Sequence, residues 1–85
     1  MASKLGIYEY NIMPLNEQAD YLWDNGTFLA NRVKGTMKIQ LHSLSNFYVE
    51  VFYKSKENKI IELKPFKAVR CLEPYLDQID VNQLH

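Results

Sequence analysis

The chain has 85 residues, of which 47% are hydrophobic and 13% aromatic, and its ten basic and ten acidic residues leave no net charge. This composition is typical of one small globular domain and excludes a disordered segment. Cys71 is the single cysteine, which excludes an internal disulfide, and no apolar run has the length of a membrane helix. The N-terminal residues also lack the features of a signal peptide, so we expect one cytoplasmic domain over residues 1–85.

A helix is predicted over residues 14–25, after an N-terminal arm of residues 1–13. Asn16 is a candidate for its cap, and Gly26 suits the left-handed position that commonly ends a helix. The arm is expected either to form an extra edge strand or to fold over one face of the sheet that follows. The predicted helix has one apolar stripe, formed by Leu15, Ala19, Leu22 and Trp23.

From Thr27 the hydrophobic period changes to two, which predicts a four-stranded antiparallel β-meander over residues 27–66. Lys34-Gly35 is predicted to be a tight turn. The segments 44–46 and 56–58 are predicted to be three-residue hairpin loops that end in Asn. These turns predict one apolar face with the cross-strand rows Phe28–Leu41–Val49–Pro65, Ala30–Ile39–Val51–Leu63 and Arg32–Met37–Tyr53–Ile61.

A short second helix is predicted over residues 72–80, followed by a tail of residues 81–85 in which Val81 and Leu84 are candidate core contacts. Pro74 is acceptable because it would lie in the first turn of this helix. The predicted architecture is a two-layer α+β domain, with the N-terminal helix and the short C-terminal helix packed on the apolar face of the meander. The second helix has an apolar stripe of Leu72, Tyr75, Leu76 and Ile79.

The other face of the predicted meander is the best functional lead, because it combines aromatic and charged side chains. Glu50 and Lys64 are expected to pair across strands, and Lys38 to lie beside the ring of Phe52. Aromatic side chains with a charged rim are typical of protein interfaces, so either a partner protein, including a second copy, or the N-terminal arm is expected to cover this face. The predicted binding residues are Leu29, Lys38, Tyr48, Glu50, Phe52, Lys64 and Phe66.

No catalytic constellation is recognised, so the sequence favours a non-enzymatic protein-interaction module without a cofactor or metal, with a homodimer through the outer sheet face or an edge strand as one form of it. The three glycines are isolated and form no phosphate-binding loop. One cysteine and two histidines, of which His85 is the last residue, cannot build a standard zinc site. Cys71 is expected to pack in the core, with a reactive thiol, alone or paired with His42, as the alternative.

Weak binding of single-stranded nucleic acid is the alternative function. Residues 27–67 carry a charge of +5 between acidic ends of −3 and −2. Aromatic side chains on an open sheet face can stack bases while lysines hold phosphates. Glu50 and Glu62 lie on the same predicted face and would repel phosphates, and zero net charge provides no long-range attraction. A protein partner is therefore favoured over nucleic acid.

Three segments, GTFLA, FYVEVFY and CLEPYLDQID, resemble a set of short bacterial single-domain proteins for which no activity is established. The resemblance covers residues 7–81, and its motifs are apolar and structural. It implies a free-standing, cytoplasmic, bacterial domain, and it implies no ligand or catalytic residue.

Overall fold

The computed structural model describes residues 5–54, 56–57 and 59–79. Its four strands form one antiparallel sheet in the order β1–β2–β3–β4, which confirms the predicted α+β class and the meander. Asp80 of the predicted second helix and the predicted tail contacts Val81 and Leu84 lie outside the described residues, as does His85. The elements are α1 (Ile7–Asn11), α2 (Leu15–Asn25), β1 (Thr27–Lys34), β2 (Met37–Leu44), β3 (Phe47–Lys54), β4 (Lys59–Phe66) and a 3-10 helix, η1 (Val69–Tyr75).

Helix α2 lies where the sequence predicts it, but both of its ends differ from the prediction. Pro14 precedes the first turn in place of an Asn16 cap. Gly26 is extended, with φ −90° and ψ 166°, instead of left-handed. A Cβ atom at Gly26 would lie 2.8 Å from the backbone carbonyl oxygen of Leu22, so glycine is needed here for close packing and not for an unusual backbone angle.

The N-terminal arm forms the short helix α1 instead of an edge strand. Tyr10 is fully buried, and its hydroxyl donates a 2.7 Å hydrogen bond to the carbonyl oxygen of Gln18. In return, Nε2 of Gln18 donates a 2.8 Å hydrogen bond to the carbonyl oxygen of Tyr10. This reciprocal pair fixes α1 against α2, and burial raises the pKa of Tyr10 above its usual value.

The connection between β2 and β3 changes the register that the sequence predicts. The loop contains only Ser45 and Asn46, with Ser45 at φ 57°, so His42 lies opposite Val49 where Leu41 was predicted. A shift of one residue moves every side chain of a strand to the other face of the sheet. Leu41 and Val49 therefore lie on opposite faces.

Apart from two irregularities, the other two hairpins keep the predicted faces. Lys34 lies opposite Met37 across a loop of Gly35 and Thr36. Relative to the predicted pairing, the register is shifted by two residues, so Ala30 lies opposite Leu41 instead of Ile39 and keeps its face. The pairing of β3 with β4 is as predicted up to Phe52 and Glu62. After Phe52 the register shifts, so Tyr53 lies opposite Ile60 and not Ile61 as predicted. A second irregularity, between Phe28 and Ala30, leaves Leu29 outside the β1–β2 pairing and places Phe28 opposite His42, on the other face from the predicted one.

The change of register gives the sheet an apolar region on each face, in opposite halves. We call the face that α1 and α2 cover the front face and the opposite one the back face. The helical segments thus lie on both sides of the sheet and not on one shared face as predicted. The reason is the one-residue shift, which puts the apolar positions of β1–β2 and those of β3–β4 on opposite faces. The front cluster contains Tyr10, Leu22, Leu44, Phe47, Val49, Val51 and Leu63. The back cluster contains Ala30, Leu41, Leu72 and Tyr75, with Leu29, Tyr48, Phe66 and Ile79 packed against it.

The C-terminal segment forms η1 and a following turn in place of the α-helix predicted over 72–80. It begins at Val69, three residues earlier than predicted, and Pro74 lies inside it. Leu72 and Tyr75 are fully buried against the back face, whereas Leu76 of the predicted apolar stripe is 49% exposed.

Candidate interaction surfaces

Glu50 anchors η1 to the sheet instead of forming part of an open binding face. It is 8% exposed, and its Oε2 accepts a 2.6 Å hydrogen bond from the Tyr75 hydroxyl. The same oxygen forms an ion pair with Nη2 of Arg32 at 3.2 Å. Nε of Arg32 also donates to the Tyr75 hydroxyl, at 3.1 Å. Lys64 lies opposite Glu50 in the register, as predicted, but the bonds of the carboxylate go to Arg32 and Tyr75.

The anchor is a satisfied structural network. Burial, and then the hydrogen bond to Glu50, raises the pKa of Tyr75 to about 12, which keeps its hydroxyl a donor at neutral pH. Among the described residues, every buried side-chain nitrogen or oxygen has a hydrogen-bond partner.

The aromatic residues predicted on the outer face lie together on the back face. The rings of Tyr48 and Phe66 stack with centroids 5.5 Å apart and pack against the cluster that η1 covers. Nζ of Lys64 lies 5.8 Å from the centroid of Phe52, the place predicted for Lys38. Lys38 is on the front face, where it pairs with Val33. Helix η1, and not the N-terminal arm, covers the Tyr48 end of this face.

A more exposed aromatic group lies on the front face, around His42. The side chains of Trp23 and Phe28 are 47% and 50% exposed. Their ring centroids lie 5.4 Å and 5.6 Å from that of His42, with edge-on interplanar angles of 63° and 76°. His42 is only 6% exposed and lies 3.2 Å from Oε1 of Gln40, so one buried imidazole supports two exposed rings.

The environment of His42 favours its neutral form. Burial lowers its pKa below the usual 6.5. An imidazole that is neutral at pH 7 can pack against aromatic rings without the cost of burying a charge. Trp23 and Phe28 therefore rest on a rigid, uncharged support.

The half of the front face over β1 and β2 continues from this aromatic group to the β1–β2 turn. Helices α1 and α2 pack mainly on the other half, since the front cluster draws its strand residues from β2, β3 and β4. Val33, at the far end of β1, is 68% exposed. We call this half, together with Trp23, the front surface; its cross-strand pairs are Phe28–His42, Asn31–Gln40 and Val33–Lys38.

Opposite charges flank the two ends of the front surface. Asp20 and Asp24 are exposed on α2 beside Trp23. Lys38 is exposed at the other end, next to the β1–β2 turn. The surface is thus aromatic and acidic at the end beside α2 and basic at the other end.

The sequence patterns predict Trp23 and Phe28 in the core and His42 on the opposite face. Trp23 fits the apolar stripe of a helix, and Phe28 fits the apolar face of a strand, so neither pattern predicts exposure. Two features create this surface. With Ser45 and Asn46 as a two-residue turn, His42 shares a face with Val49, and the irregularity at Leu29 brings Phe28 to the same face. The predicted three-residue loop would instead place Leu41, and not His42, on the face of Val49.

The remaining chemical candidates are not brought together. Cys71 is partly buried in η1, on the back-face side, whereas His42 is on the front face, so the sheet separates them. No group of three or more His, Cys, Asp or Glu side chains within the described ranges is placed to hold a metal ion. In the same part of the chain, no helix has the length and apolar character needed to cross a membrane.

Comparison of the chain with protein-family models, with curated proteins and with solved structures finds no match.

Proposed function

We propose that this protein is a small, non-enzymatic protein-interaction module that self-associates through the front surface. The observation that carries the proposal is the placement of Trp23 and Phe28, half exposed and held edge-on by the same buried His42. Trp and other aromatic side chains dominate binding energy at protein interfaces, particularly near the centre of the contact. Because their supporting contacts already restrict these rings, less conformational entropy is lost when they are covered.

The charge pattern favours a second copy as the partner. In a twofold dimer the same surface of each chain contacts the other, with its direction reversed. A twofold axis through the front surface brings the acidic end, with Asp20 and Asp24, against the basic end, with Lys38. Complementary charges of this kind fix the register of a contact and disfavour other partners. The zero net charge of the chain also leaves little overall repulsion between copies.

The proposal is tested by the molar mass in solution over a wide concentration range, using sedimentation equilibrium. We expect a concentration-dependent dimer with twice the 10.0 kDa mass of one chain. Because Trp23 is the only tryptophan, its fluorescence should shift to shorter wavelength as the dimer forms and covers the ring. Trp23→Ser should weaken the dimer at least about 30-fold, because interface tryptophans commonly contribute ~2 kcal/mol or more.

Tyr8→Ser is the matched control, because Tyr8 is an aromatic residue that is 84% exposed on α1, away from the front surface. This variant should retain the dimer. A wild-type chain that is monomeric at every concentration, or a dimer that loses as much affinity with Tyr8→Ser as with Trp23→Ser, would contradict the proposal.

Weak binding of single-stranded nucleic acid on the back face is the second candidate. It is supported by Lys64 placed over the ring of Phe52, beside the stacked pair of Tyr48 and Phe66. The Glu50 carboxylate, engaged by Arg32 and Tyr75, would repel phosphates less than a free one. Titration of a labelled oligonucleotide at low salt tests this candidate. Binding that weakens with added salt and with Phe52→Ala is expected, and no binding at low salt would end it.

A further inference from the structure

The outer edge of β1 carries a contact that resembles strand pairing. Strand β1 is an edge of the sheet. The backbone N–H of Asn31 donates to Oε1 of Gln78 at 3.2 Å, and Nε2 of Gln78 donates to the Asn31 carbonyl oxygen at 2.6 Å. These are the two bonds that Asn31 would exchange with the opposite residue of a neighbouring antiparallel strand. A side-chain amide thus occupies the place of a strand.

We propose that the outer edge of β1 is a strand-addition site that pairs with β1 of a second copy, and that the Gln78 amide holds it closed. Outward backbone groups alternate along an antiparallel strand, so Val33 presents its N–H and C=O on the same side as Asn31. Val33 is 68% exposed. When the Gln78 amide leaves, the outward N–H and C=O groups of both Asn31 and Val33 become available to one incoming strand, as at other exposed sheet edges.

The sequence of β1 selects one register for this pairing. A twofold pair centred on Asn31 places Ala30 of each chain opposite Arg32 of the other, so no like charges face each other. A pair centred on Arg32 would place the two guanidinium groups directly opposite, which is unfavourable. Arg32 is held on the back face by Glu50 and Tyr75, so it could not easily turn away. The register centred on Asn31 is therefore the favoured one.

This site differs from the proposed front-surface contact because it uses backbone groups at the edge of the sheet, although the side chains of Asn31 and Val33 lie on the front surface. It extends the sheet sideways, whereas the front surface stacks one chain on another. The test is therefore designed to detect edge pairing by geometry and not by mass alone.

The experiment is disulfide trapping with Asn31→Cys in a Cys71→Ser background, under mild oxidation. In the register centred on Asn31, the two Cα atoms would lie about 5.5 Å apart, within the range of a disulfide. Trapping should be about tenfold faster when Gln78→Ala is added, because two hydrogen bonds no longer close the edge. Val33→Cys is the matched control: in this register its two copies lie more than about 13 Å apart, too far for a disulfide.

Three outcomes would overturn the proposal. One is a folded Gln78→Ala variant, by circular dichroism, in which Asn31→Cys is not trapped. Another is equal trapping at Asn31→Cys and Val33→Cys, which indicates random collision. The third is loss of trapping when Trp23→Gln is added, which would assign the contact to the front surface; retained trapping supports an independent edge whatever becomes of the front-surface dimer.

Amide hydrogen exchange provides a second readout without cysteines. In the Gln78→Ala variant, the N–H of Asn31 should exchange fast in dilute solution and become protected as the concentration rises. Fast exchange at all concentrations would overturn strand pairing at this edge.

Discussion

A carboxylate that is 8% exposed needs partners, and Glu50 obtains them from β1 and from η1. Arg32 is 18 residues before Glu50 and Tyr75 is 25 residues after it, so no local pattern in the sequence indicates the network. Removing one partner of a buried ion pair lowers stability strongly, because a buried charge is left without compensation, whereas replacing the whole pair by apolar residues often changes stability little. The network therefore specifies where η1 docks more than it adds stability.

Removal of the Tyr75 hydroxyl tests this anchor. Tyr75→Phe leaves the ring in place but removes the 2.6 Å hydrogen bond to a buried carboxylate, so we expect a loss of about 1–3 kcal/mol in the free energy of unfolding. Tyr53→Phe is the matched control, because its hydroxyl makes only a 3.3 Å, part-buried bond to neutral Gln40. Denaturant titration should show the larger loss for Tyr75→Phe. Equal losses would show that the Glu50 bond has no special role.

His42 should make the stability of the protein sensitive to mild acid. Because burial lowers its pKa in the folded protein, the unfolded chain takes up a proton at His42 first as the pH falls below about 6.5. The stability that His42 contributes is thus present above the unfolded pKa and is lost as the pH falls through the lower, folded pKa. Thermal unfolding between pH 7.5 and 5 should show this loss, and His42→Gln should reduce it. An unchanged pH profile in that variant would place the acid sensitivity elsewhere.

At the scale of elements, the β2–β3 loop decides the fold of the sheet, and its backbone shows how. Ser45 has a φ of 57°, and Gly35, the first loop residue of the β1–β2 hairpin, has a φ of 62°. A positive φ at the first loop position is the pattern of a type II′ turn, which favours glycine there. Gly35 is the favoured residue type at this position, whereas Ser45 is not.

Exchange of these residue types should have opposite effects on stability. Ser45→Gly should raise the free energy of unfolding by up to about 1 kcal/mol, because glycine adopts this angle without the Cβ penalty. Gly35→Ala should lower it by about 1 kcal/mol, although no atom lies within 4 Å of the added Cβ, so backbone strain alone is responsible. Denaturant titration of both variants measures the two effects. A destabilised Ser45→Gly variant would contradict the turn geometry.

The four strands and α2 could be predicted because their signals are local, whereas the sequence patterns predict neither α1 nor the 3-10 form and early start of η1. The alternation in NFYVEVFY predicts β3, and its pairing with β4 up to Glu62 is confirmed. The β2–β3 register could not be predicted, since Leu41 and His42 both make acceptable neighbours for Val49. From the hydrophobic pattern alone, one apolar face shared by all four strands is the simpler prediction. Only the packing of the helical segments favours the observed arrangement, with an apolar half on each face. The position of η1 depends on that register, and the front surface depends on it together with the irregularity that places Phe28 opposite His42.

At the scale of the whole molecule, the sheet separates two small cores. The front cluster joins α1 and α2 to β2, β3 and β4, and the back cluster joins η1 to β1 and β2. Each helical layer covers half a face, so the arrangement leaves a half face over β1–β2 in front and one over β3–β4 behind. The front half has the more exposed aromatic residues, Trp23 and Phe28. The division of the core thus creates the surface that we propose for self-association.

Charge reversal tests the twofold geometry of that association. Asp20 lies one turn before Trp23 on the same side of α2, and Lys38 lies at the opposite end of the front surface, paired with Val33. Asp20→Lys alone and Lys38→Glu alone should each weaken the dimer by on the order of tenfold, because each change places like charges at both ends of a symmetric contact.

The two substitutions combined in one chain should restore most of the affinity, because every acidic group again faces a basic one. This rescue is the critical result, since the double variant keeps the zero net charge of the wild type. Effects of the two changes that simply add, with no rescue, would show that Asp20 and Lys38 do not meet across the contact. Sedimentation equilibrium of the four proteins at equal ionic strength measures the coupling, and its decrease with added salt would show that exposed charges carry it.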